Sequence, residues 1–209
     1  MNSKENWKEL SIIIISSIIL ALAVSFKNTT VLYAAIISFL IIIIINILTK
    51  KMIGYNFETV VKTKFWSWYQ YGLRKDSHFK SPVPMAWLPL VIALFSKGFV
   101  FWLGILEFDV AAKAERASKR HGLYRFTQVT EWHMGLIATW AIVANLVFAI
   151  IGYILGFELF TKLSIYYAAW SIIPIAGMDG SKILFASKVL WILMAAIVAL
   201  FLFVGLTIL

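Results

Sequence analysis

Two uncharged runs near the start of the chain, residues 11–26 and 31–48, are each close to the roughly 20 residues an α-helix needs to cross about 30 Å of hydrocarbon. In lipid the backbone has no water to bond. A lone segment therefore satisfies its N–H and C=O groups only by becoming a helix. Residues 134–155, 159–175 and 189–209 are three more candidate spans. The composition agrees, because at 62% hydrophobic and 14% charged a 209-residue chain has more apolar surface than a soluble domain of that size buries. The expectation is a polytopic α-helical membrane protein with about five transmembrane helices. The opening "MNSKENWKEL" sets two acids beside two lysines, with no small-residue cleavage site after the apolar run, so the first helix reads as a retained anchor. The absence of cysteine excludes disulfides and thiolate metal ligands.

Residues 83–108 break the pattern. "VPMAWLPLVIALF" is too short to span, and "SKG" then leads into the aromatic and β-branched "FVFWLGILEF". We read a short helix, a turn and a strand over residues 99–108. A strand at membrane depth must pair with other backbone, so the segment is expected to re-enter from the side it left. The positions of Lys and Arg set the orientation. With the N-terminus in the cytoplasm, 16 of the 19 basic residues fall on that side. The net charge of +9 then follows from topology, and nucleic acid is not expected as a partner. The chain divides into two N-terminal helices (1–48), a basic aromatic cytoplasmic loop (49–82), a membrane core (83–185) and a C-terminal helix (186–209). In the loop "KTKFWSWYQYGLRK", Trp66, Trp68, Tyr69 and Tyr71 stand among Lys62 and Lys64, a mixture suited to the headgroup layer of an anionic leaflet. These residues are expected on the membrane surface, with the lipid bilayer as partner.

One carboxylate stands out in "SIIPIAGMDGSKIL", residues 171–184. Charges inside spans are costly and usually face protein or a water-filled cavity. Pro174 removes a helix donor, and Gly177 and Gly180 loosen the backbone, so the helix over 159–175 should end in a turn holding Asp179. From chemistry alone Asp179 is a capping residue, with Lys188 as the nearby cation and the backbone N–H groups of Ser181 and Lys182 as donors. Asn145, polar in an apolar span, should hydrogen-bond backbone near the re-entrant segment.

The stretch also resembles the third core segment of site-2 proteases, the intramembrane zinc metalloproteases, whose pattern reads N-x-x-P-x-P-x-L-D-G. Pro174, Asp179, Gly180, Lys182, Ile183 and Leu184 match; Ser171, Ala176 and Met178 depart from it. Upstream, "AIVANLVFAII" is similar to the family's G-P-x-x-N-x-x-x-A segment, with Asn145 and Ala149 in place but Ala141 and Ile142 where Gly and Pro belong. The resemblance implies a site-2-protease-like core with a re-entrant helix, a membrane-edge β segment and Asp179 at the position of the third zinc ligand. It also implies an H-E-x-x-H helix, since two imidazoles at i and i+4 share one helical face and complete a three-ligand site. By chain order that helix falls on "MAWLPLVIALF", which has no His and no Glu.

No catalytic residues are therefore expected, and no metal or other cofactor. The chain reads as a catalytically inactive relative, a pseudoprotease that binds transmembrane or extended protein segments. The alternative is an active intramembrane metalloprotease holding zinc with unusual ligands, His133 and His121 beside Asp179.

Overall fold

The computed structural model describes residues 3–70, 78–113 and 129–207. Four helices are long and apolar enough to cross a membrane: α1 (Ser3–Val24), α2 (Leu32–Asn56), α4 (Glu131–Ile154) and α7 (Lys188–Thr207). They enclose shorter pieces: α3 (Leu88–Phe95), α5 (Glu158–Ser171) and α6 (Asp179–Ala186). The expected fifth span is only 14 residues long as α5, about 21 Å at 1.5 Å per residue. It stops early because Pro174 disfavours helical backbone at the residue before it and supplies no donor.

The loop expected on the membrane surface is largely β-structure. After α2 runs on to Asn56, the chain forms β1 (Thr59–Phe65), β2 (Ser67–Gln70) and β3 (His78–Pro84). β1 pairs antiparallel with β4 (Leu106–Ala112), from Thr59 opposite Ala112 to Phe65 opposite Leu106, and β2 pairs with β3. The strand expected over residues 99–108 thus starts late, and β1 is the reason. The Trp66 N–H makes a last bond to the Ile105 carbonyl at 2.8 Å, after which the chain leaves to pair with β3. Without a partner strand, residues 101–105 pack by side chain instead, with Leu103 and Ile105 buried, while Phe99 and Val100 stay exposed.

Two apolar clusters form the interior. One joins α1 and α2 to Leu103, Ile105 and Leu106; the other joins Phe108 and Val61 to α4, Ala168, Ile183 and α7. β4 passes from the first to the second. On α2, buried residues recur every three or four positions, at Ala35, Phe39, Ile42 and Asn46, continuing to Lys50 and Gly54. The stripe ends in polar and small residues where it meets β1 and α6.

Candidate functional site

The chain breaks between α5 and α6, and tryptophans close the break. A helix end leaves carbonyls without intrahelical partners. The indole N–H of Trp191 donates to the Ile172 carbonyl at 2.9 Å, and that of Trp66 donates to the Ala176 carbonyl at 2.8 Å. Trp66 is therefore buried, 1% exposed, and departs from the surface role expected of it. It stacks on Trp102, with ring centroids 5.9 Å apart, and Trp102 packs on Trp170. Trp68 is 38% exposed and meets the Trp66 ring edge-on. The Tyr69 side chain, Tyr71 and His121 lie outside the described residues.

Two glycines shape the same loop. Gly177 has φ of +87°, and a Cβ there would run into the Glu107 carboxylate. A Cβ on Gly180 would meet the backbone of Ile172 and Ile173. Small residues here let the start of α6 lie against the end of α5.

Asp179 is the first residue of α6, and its carboxylate makes none of the expected bonds to a backbone N–H among the described residues. Lys50, from the far end of α2, takes it instead. The Lys50 ammonium lies 2.7 Å from Oδ2 and 2.9 Å from Oδ1, and both side chains are about 95% buried, at 4% and 5% exposure. The cation is thus Lys50, not Lys188. Lys182, the basic residue of the matched motif, reaches the other way, donating to the Phe108 carbonyl of β4. Its ammonium stands 3.6 Å from the centroid of the Phe108 ring, and that of Lys50 stands 4.7 Å from the same centroid. Burial pushes the Lys182 ammonium down to about 8; neighbouring Lys50 adds to this and Asp179 opposes it.

A second carboxylate, Glu107, was not expected. It is 5% exposed and accepts from the Ser67 hydroxyl and the Lys64 ammonium, each at 3.1 Å. Lys64 bridges on to Asp109 at 2.8 Å. Burial would lower the Lys64 ammonium, but its bonds to Asp109 and Glu107 outweigh that and hold it above the ordinary lysine range. Two buried carboxylates therefore line the break, and each is met by a lysine: Asp179 by the buried Lys50 and Glu107 by the more exposed Lys64.

The remaining expected residues lie elsewhere. His133 sits in the first turn of α4, edge-on to Phe57 and beside the Thr130 hydroxyl. Asn145 is buried on α4, but its amide has no hydrogen-bond partner among the described residues, contrary to expectation. Its main-chain carbonyl accepts from the Ser164 hydroxyl of α5 at 2.8 Å. Pro174 stands in the break itself. As a metal site the arrangement does not fit, since both Asp179 oxygens are held by an ammonium and α3 supplies neither His nor Glu. No group of three or more His, Cys, Asp or Glu able to hold a metal occurs among the described residues.

No protein-family model, curated protein or solved structure matches this chain.

Proposed function

We propose that this chain is an integral membrane pseudoprotease related to the site-2 proteases, which keeps their core but binds membrane or extended protein segments without cleaving them. The observation that carries the reading is the buried pair of Asp179 with Lys50. Where the family pattern has a carboxylate facing a dication, this chain faces its carboxylate with a lysine from α2. A three-ligand zinc site needs deprotonated ligands free to converge on the ion, and an ammonium held at 2.7 Å both neutralises Asp179 and fills the approach to it. Binding of an extended segment has a natural place at the two-stranded β1–β4 sheet, where backbone at a strand edge recognises another strand by hydrogen bonds without any metal.

The test is metal content together with cleavage. The full chain, purified in detergent, should hold well under one zinc per chain and leave a transmembrane substrate intact. Stoichiometric zinc that disappears in Asp179→Ala, with cleavage of the substrate, would establish the active metalloprotease instead.

A further inference from the structure

A cleft of about 550 Å³ opens between α1, the end of α2 and β1, and shares Lys64 with the Asp179 break. α1 contributes Lys8, Glu9 and Ile12; α2 contributes Lys51 and Tyr55; β1 adds Lys62, Thr63 and Lys64, and Asp109 and Lys113 close the side. The cleft sits where two spans end together, because the apolar window of α1 begins at Trp7 and that of α2 finishes at Asn56. A contact between Lys51 and Glu9 ties those two ends. Trp7 and Tyr55, 71% and 70% exposed, mark the same level, as amphipathic aromatics do at a membrane–water boundary.

The lining is graded. Ile12 and Val61 are apolar, whereas the walls carry five lysines against two carboxylates. Both carboxylates are already met, Glu9 by Lys51 and Asp109 by Lys64. Lys51 and Lys64 are taken up there, and Lys8 and Lys113 remain as cations of the lining. The Lys113 ammonium is set over the Tyr55 ring at 4.0 Å, which fixes one charge at the rim. Two polar atoms remain open, since Glu9 Oε1 and the Thr63 hydroxyl are buried with no hydrogen-bond partner among the described residues. The hydroxyl can donate to a phosphate oxygen, and Glu9 Oε1 can accept from a ligand hydroxyl.

We infer that this cleft binds an anionic phospholipid whose headgroup bears a hydroxyl, its phosphate among the lysines and Thr63, its hydroxyl on Glu9, and its acyl chain along Ile12 and Val61. The inference rests on the membrane reading above but not on the fate of the protease chemistry. Lipid is favoured over a soluble anion because the cleft joins an apolar floor to a cationic rim at the depth where a headgroup lies.

Native mass spectrometry of the full chain, released from nanodiscs of mixed phosphatidylglycerol and phosphatidylcholine, tests it. Phosphatidylglycerol should be retained about tenfold over phosphatidylcholine, since each basic residue near an anionic headgroup contributes a several-fold factor. Lys8→Gln with Lys113→Gln should abolish the preference, and Thr63→Trp should do so by filling the space with the lysines intact. Lys27→Gln with Lys188→Gln, remote from the cleft, should not. Equal retention of the two lipids overturns the inference, as does loss of preference in the remote pair. Displacement by millimolar glycerol phosphate or by an acidic peptide also overturns it, because the ligand would then be a soluble phosphate ester or a protein segment. If the lysine pair fails to fold, Thr63→Trp and the wild-type competition decide. Recovery of the chain in the soluble fraction without detergent would instead defeat the membrane reading and is read separately.

Discussion

Lys50 and Asp179 form an ion pair at positions less than 5% exposed, so neither is tolerable without the other. Removing one partner of a buried pair typically costs about 3–5 kcal/mol, because the remaining charge loses its compensation. We expect Lys50→Met and Asp179→Asn each to destabilise by about that amount in denaturant unfolding in detergent. The double variant should lose less than the sum by about 2 kcal/mol or more. Strict additivity would show that the two do not meet. From sequence, Asp179 is visible as the odd charge in an apolar setting, but its partner is not, because a pair across 129 positions leaves no local trace. A weaker signal was present. Asn46, Lys50 and Gly54 recur at four-residue spacing and mark one face of α2 as polar, whereas Lys50 read alone passes for a topology-setting residue at a helix end. Glu107 was equally hidden, since a carboxylate within an aromatic segment reads as the segment's solvent end.

The long helices were more legible here than the strands, of which only the start of β4 fell within an expected one, for a physical reason. The long apolar runs declare α1, α2, α4 and α7 because a span must be helical whatever it packs against. β1 and β4 exist only through each other, and neither "TVVKTKF" nor "LEFDVAA" states its register alone. The short helix α6 is fastened to β4 by Lys182, whose bond to the Phe108 carbonyl makes the docking responsive to pH. Burial holds that ammonium near 8, whereas an unfolded lysine keeps its proton up to about 10.4. Between these values the unfolded chain binds more protons, so the contribution of Lys182 to stability rises with pH across that window and is least below pH 8. Subtracting the stability profile of Lys182→Met from that of the native chain should leave a rise between about pH 8 and 10.5. A flat difference would mean that the ammonium is solvated.

At the scale of the whole molecule, four membrane-length helices and the material between α2 and α4 decide the sidedness. If residues 57–130 stay on one side, the turns at Thr29 and Phe157 share the opposite one. The natural absence of cysteine makes this simple to read. Single cysteines at Thr29 and Phe157 should label from outside the cell and one at Lys113 from the cytoplasm. Labelling of Lys113 and Thr29 from the same face would rule out the proposed topology. The Lys50–Asp179 pair also imposes an order in time. Chains emerge from the ribosome N-terminus first at about 5–20 residues per second, so the lysine in α2 precedes its carboxylate by roughly 6–25 s. For that interval the nascent helical hairpin carries a bare cation at its end, and any chain truncated before Asp179 carries it permanently. Completion of the chain answers that charge only when Asp179 reaches the end of α2.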